Sequence, residues 1–183
     1  RQLPAQRRPA PEPRPAVSAT SDSISAAHLR HALGHFATGV TVVTSVSDRG
    51  EPAGTTASAV SAVSLDPPLV LVCLDRGSHT LAAIRASGRF VINVLAEDQR
   101  PLSDNFARSG ATANWSGVDH RPGSDGSPLL DGALARLRCT LEQRLEGGDH
   151  EIVVGRVNEL DVDPDRGGPL LHYQGTYASL GSP

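Results

Sequence analysis

The chain contains no lysine and no methionine, and its aromatic side chains are one Trp, two Tyr and three Phe. With aromatics at 3% of 183 residues, the core has to be assembled from Val, Leu, Ile and Ala. All 17 cationic residues are arginines, which no fold demands and which reads as compositional bias of the genome. Cysteine is scarce too. Cys73 and Cys139 sit in apolar runs without CxxC spacing, so neither a disulfide framework nor a zinc site is expected, and a reducing cytoplasm is the default. No apolar stretch approaches the roughly 18 residues of a membrane span. No h-region follows the N-terminal arginines, so no Sec leader is expected. GxGxxG, Walker A, HExxH and GxSxG patterns are all missing. A dinucleotide fold of the usual kind and a hydrolase elbow therefore have no support.

The net charge of −3 is unevenly placed. Residues 1–21 hold four Arg and one acid, and the remainder holds 13 Arg and 19 acids. An acidic body lacks the clustered cations that neutralise phosphates, which argues against a nucleic-acid partner. Five of the 14 prolines also fall in residues 1–21. Such a segment buries too little apolar surface to order itself, so 1–22 is expected to be a disordered tail and 23–183 the domain. A transit peptide is the sharper alternative, but the prolines spoil an amphipathic helix.

A helix is expected to start at Ser23–Ser25, with Leu29, Leu33 and Phe36 on one face. His28, His31 and His35 mark another face, with no carboxylate to complete a metal site. From Gly39, GVTVVTSV is strand-like, DRGEP (48–52) is a turn, and 53–65 is small, polar and partly alternating. LVLVCL (69–74) has the continuous apolar run of a buried strand. A helix over 78–88 has Ser78 as its N-cap and Gly88 as its stop. FVINVL (90–95) is a strand, and 97–110 should hold a short helix. A Gly/Ser/Asp/Pro-rich loop follows from Trp115 to Pro128. Residues 133–147 fit helix or strand, and the GGDH turn before EIVVGRV favours a hairpin. LLHYQ and TYASL complete the set. Strand-rich connectivity with few βαβ units predicts a mainly β fold with short helices, a mostly antiparallel barrel of six or seven strands.

Three segments can carry chemistry. GTTASAVS (54–61) combines hydroxyls with side chains small enough for a ligand to approach the backbone, as a tightly packed structural strand also would. DRGSHT (75–80) runs from a strand end into a helix start, where free N–H groups, hydroxyls and Arg76 could cradle a phosphate, or simply cap the helix. GGDHEIVVGRV (147–157) puts Asp149 and His150 at a strand mouth, suited to proton or nicotinamide contacts, or to nothing more than a polar turn.

In order, LRHALGHFATGVTVVTS, GTTASAVSAVSLDPPLVLVCLDRGSHTLAAI, GRFVINVL, LSDNFA, GGDHEIVVGRV and PLLHYQGTY resemble the short-chain flavin reductases. These are the reductase components of two-component, flavin-dependent aromatic monooxygenases. The similarity runs from Leu29 to Tyr177. It implies a split-barrel flavin-binding fold, a homodimer, and reduction of FMN or FAD by NADH or NADPH. The reduced flavin then diffuses to a partner monooxygenase.

By the same resemblance, Thr38, Gly54, Thr55, Thr56, Ala57, Ser58 and Ser61 would line the isoalloxazine ring and ribityl chain. Cys73, Leu74 and Asp75 match the adjacent strand end. Ser78 and Thr80 match phosphate contacts, and Phe106 would cover the flavin. His150, with Asp149, matches the nicotinamide site, and Tyr173 a pocket wall. Relatives often carry an aromatic where this chain has Val60. No arginine cluster stands ready for a 2′-phosphate, which favours NADH. A non-enzymatic flavin-binding module and a ligand-free barrel are the alternatives.

Overall fold

The computed structural model describes residues 24–107 and 115–180. The expected tail, residues 1–22, lies outside the described residues. The architecture is mainly β with short helices, as the alternation of apolar residues requires. A seven-stranded sheet runs in the order β3 (Pro52–Ala57), β2 (Thr41–Val46), β6 (Arg89–Val94), β9 (Ala135–Gly147), β10 (His150–Val162), β5 (Pro68–Asp75), β4 (Val60–Leu65). Every neighbouring pair is antiparallel. β1 (Thr38–Gly39), β11 (Leu171–Tyr173) and β12 (Thr176–Ala178) form a small second sheet, and β7 (His120–Pro122) pairs with β8 (Pro128–Leu130). Among the described residues no ladder joins the edge strands β3 and β4, so hydrogen bonding does not close the seven-stranded sheet.

β2 is buried along its whole length because both of its faces are covered. Val43 joins a cluster with Val72, Leu81, Ile84, Phe90, Ile92 and Val153. Val42 joins a second with Leu95, Phe106, Leu130 and Leu170. Helix α2 (His79–Ser87) packs its Leu81 and Ile84, both fully buried, into the first cluster. Burial of each such side chain stabilises the fold by roughly 1.5–3 kcal/mol. Ser78 caps α2 by accepting from the Leu81 N–H, and Gly88 ends it at φ 69°, the left-handed conformation that glycine tolerates. The β9–β10 hairpin turns at Gly148, with φ 71°, so the GGDH signal resolved the helix–strand ambiguity correctly. No described helix is long and apolar enough to cross a membrane.

Two expectations need correction. Helix α1 (Ala26–Leu33) stops before Phe36 and buries none of its residues. Leu29, Leu33 and Phe36 are 51%, 61% and 74% exposed, so the apolar face points outward. Residues 53–65 are not one strand. The chain breaks at Ser58–Ala59, and its halves lie at opposite edges of the sheet. The short helix expected within 97–110 is present as α3 (Arg100–Phe106), preceded by a 3₁₀ turn (Glu97–Gln99), with 108–110 outside the described residues.

Candidate functional site

A cavity with a volume of ≈ 750 Å³ lies between β3, the end of β5 and α2. Gly54, Thr55, Thr56, Ala57 and Ser58 form one wall. Cys73, Leu74 and Asp75 form the strand-end wall, and Ser78 and Thr80 the helix corner. Phe106 and His150 also border it. Twelve of the residues singled out in the sequence thus meet around one hollow, although the chain segments carrying them are far apart.

Local hydrogen bonding decides what each can offer. Thr41 donates its hydroxyl to the Ala57 carbonyl at 2.6 Å, and Thr56 donates to the Ser103 carbonyl at 2.7 Å. The Thr56 hydroxyl therefore spends its proton tying β3 to α3. Asp75 shapes the corner: its Oδ1 accepts from the Gly77 N–H at 2.7 Å and its carbonyl from the Ser78 N–H at 3.0 Å. Ser78 Oγ is engaged as the cap. The His79 and Thr80 N–H groups have no carbonyl within the helix by virtue of their position in its first turn, and they are the corner's open donors. Arg76 is not the cation expected there. Its Nε donates to the His150 carbonyl at 3.4 Å and its guanidinium lies 3.7 Å from Glu146.

His150 faces Asp75 across the β10–β5 ladder. Its Nδ1 lies 2.8 Å from Asp149 Oδ1, and this hydrogen bond, with the attraction of the ring, holds the Asp149 carboxyl below its usual range. With Nδ1 donating to Asp149, neutral His150 presents Nε2 as an acceptor.

Four expected residues do not line this cavity. Thr38 sits in β1 opposite His172, and Ser61 on edge strand β4 opposite Leu71. Asp149 is in the turn beside His150, and Tyr173 is 40% exposed with its ring 6.5 Å from that of His35. The sequence reading missed Trp115, which closes the cavity beside Phe106, ring centroids 5.0 Å apart. Its loop of Gly, Ser and Asp gave no periodic signal. Also missed were Asp48 and Glu51 at the β2–β3 turn, and Ala82 and Ala86 on α2, all of which border the hollow.

The hollow fits a phosphorylated planar ligand. Its wall is of small residues, its corner offers N–H donors, and Trp115 Nε1 is buried with no hydrogen-bond partner among the described residues.

Comparison with known proteins identifies the family. Residues 33–181 match the model of the flavin reductase like domain. The chain is 45% identical over 133 residues to a probable flavin reductase of Rhizobium meliloti, covering 73% of this chain and 42% of that one. It is 43% identical over 152 residues to the flavin-dependent monooxygenase reductase subunit HsaB of Mycobacterium tuberculosis, covering 82% of this chain and 80% of that one. A structure of the Streptomyces globisporus NADH:FAD oxidoreductase SgcE6 with NAD and FAD fragments superposes with a TM-score of 0.82 at 34% identity, covering 91% of this chain and 98% of that one. The chain belongs to the flavin reductase family.

Proposed function

We propose that this flavin reductase oxidises NADH, reduces free FMN or FAD, and releases the product to a separate monooxygenase component. The convergence of the β3 wall, the α2 corner and His150 on one ≈ 750 Å³ cavity carries the reading. The names of its relatives, a monooxygenase reductase subunit and an NADH:FAD oxidoreductase, support it.

When bound, flavin supplies the hydride acceptor and the nicotinamide supplies the hydride. The protein supplies position. Gly54, Ala57 and Ser58 leave the β3 backbone approachable, so a flat ring can lie against it. The His79 and Thr80 N–H groups hold the phosphate at the positive end of α2. Trp115 Nε1 offers a donor to a ring carbonyl. His150 Nε2 accepts from the carboxamide amine of the nicotinamide and sets its ring, while Asp149 fixes the tautomer. His150 is therefore a positioning group for the donor, with no proton transfer required of it.

We further read the fold as the split barrel of this family, working as a homodimer in the cytoplasm. The outward apolar face of Leu29, Leu33 and Phe36 supports a covered surface, and the unpaired thiols of Cys73 and Cys139 suit a reducing compartment. NADPH is the second choice as donor.

The test mixes protein with FMN or FAD in large excess and NADH, and follows nicotinamide absorbance. Sustained consumption through many equivalents of flavin is expected. Tight flavin binding without NADH consumption would make the protein a binding module instead.

A further inference from the structure

The strand end that carries His150 is tied to helix α2 by one carboxylate. Glu151 follows His150 in β10, and its side chain is 12% exposed. It stands opposite Leu74 in the β10–β5 ladder, and opposed residues of an antiparallel pair share a face. Leu74 belongs to the cluster that holds Leu81 and Ile84 of α2, so Glu151 reaches toward the helix. Its Oε2 accepts from Arg85 Nη2, in the last turn of α2. Its Oε1 is buried, accepts no hydrogen bond among the described residues, and lies 3.5 Å from Arg144 Nη1 of β9. The hydrogen bond from Arg85, foremost, holds the Glu151 carboxyl below its usual range against the opposing effect of burial. Screened surface pairs such as Arg76–Glu146 contribute little, but a carboxylate this withdrawn from water depends on its partner.

Neither Arg85 nor Glu151 borders the cavity, but each is the immediate neighbour of a residue that does, Ala86 and His150. The two ends they join are supported unequally. The start of α2 is fixed without them, by the Asp75–Ser78 turn, the Ser78 cap and the full burial of Leu81 and Ile84. The His150 end follows the Gly147–Gly148 turn and is held there by backbone contacts of Arg76, whose N–H donates to the Asp149 carbonyl at 3.1 Å and whose Nε donates to the His150 carbonyl at 3.4 Å. We propose that Arg85 and Glu151 are positioning residues for the nicotinamide: their ion pair sets where the His150 ring stands relative to the α2 corner. The inference rests on the reductase reading and on the role of His150 within it. Without Arg85, the Glu151 carboxylate loses its hydrogen bond while still shielded from water, and the strand end shifts to hydrate it. The independently fixed corner stays in place, so the nicotinamide contact is lost and the flavin contact is kept.

The experiment compares the wild-type protein with Arg85→Ala, Arg85→Lys, Glu151→Gln and the Arg85→Ala/Glu151→Gln pair. It measures kcat, the KM for NADH, the flavin Kd by fluorescence, and backbone amide exchange over residues 149–153. Arg85→Ala is expected to raise the KM for NADH about fivefold, to leave kcat and the flavin Kd within about twofold, and to speed exchange over 149–153. Arg85→Lys, which keeps a cation beside Glu151, should recover most of that KM. In the Glu151→Gln background, Arg85→Ala should change the KM less than it does in the wild-type protein, because the charge it compensates is gone. An unchanged KM for NADH in Arg85→Ala, an equal rise in the flavin Kd, no recovery with lysine, or full additivity of the two substitutions would overturn the positioning role. A wild-type protein that consumes no NADH would sink the reductase reading. Unchanged exchange over 149–153 in Arg85→Ala would sink the ion pair's role separately, since exchange is read without turnover.

Discussion

The Phe106 ring lies directly over Gly54. A Cβ built on that glycine would fall 2.5 Å from Phe106 Cε1 and 2.8 Å from Cδ1, with Trp115 Cζ2 at 3.2 Å. The absence of a side chain at one position of β3 is what lets α3 and the Trp115 loop close on the cavity wall. Gly54→Ala must push both rings away or strain the strand. We expect a loss of about 1–3 kcal/mol in unfolding free energy, measured by urea denaturation, and a raised KM for flavin. An unchanged KM would separate the aromatic pair from the site.

Tyr177 secures the same wall from behind. Its hydroxyl lies 2.9 Å from Ser103 Oγ and donates to Asp104 Oδ1 at 2.9 Å, while Arg100 stacks 5.1 Å from the ring centroid. Burial, foremost, pushes the phenol above its ordinary range, and the Asp104 carboxylate adds to this. Tyr177→Phe is expected to cost about 1 kcal/mol and to increase hydrogen exchange in α3. Unaltered exchange there would show that α3 is held by its apolar contacts alone.

His150→Ala should raise the KM for NADH more than it lowers kcat, because the ring orients the donor. His150→Gln, which keeps an acceptor, should recover part of that KM. A large fall in kcat at unchanged KM would reject positioning and point to proton transfer.

The two thiols should behave differently. Cys139 is buried, and burial pushes its thiol up to about 12 from the ordinary 9.0. Cys73 is half-buried at the cavity. In the native protein a thiol reagent at pH 8 should modify one cysteine, and flavin should slow that modification. The sign for stability follows from linkage: the unfolded Cys139 thiol ionises at lower pH than the folded one. Its contribution is complete below about pH 9 and is lost as pH rises toward 12. Cys139→Ala should flatten the alkaline limb of the stability curve, and an unchanged limb would contradict the assignment.

Much of the site was legible because its chemistry is local. Ser78 with Gly88 marks a helix with an open N-terminus, and the Gly147–His150 turn marks a hairpin mouth, whatever the rest of the chain does. The break at Ser58–Ala59 was not legible. Residues 53–65 are mostly small, with no Pro inside the run, so nothing local says that the chain leaves one sheet edge and crosses to the other. Trp115 was hidden for a similar reason, since its partners Phe106 and Gly54 are remote in sequence and its own loop has no period. The outward face of α1 misled in the opposite sense: Leu29, Leu33 and Phe36 have a buried helix's spacing, but that spacing does not say what covers them.

The most direct test is a crystal structure of the protein soaked with FAD. The account requires the isoalloxazine ring against the Gly54–Ser58 backbone, with a phosphate within hydrogen-bonding distance of the His79 and Thr80 N–H groups. A flavin seated anywhere else on the chain, with that hollow still filled by water, would contradict it.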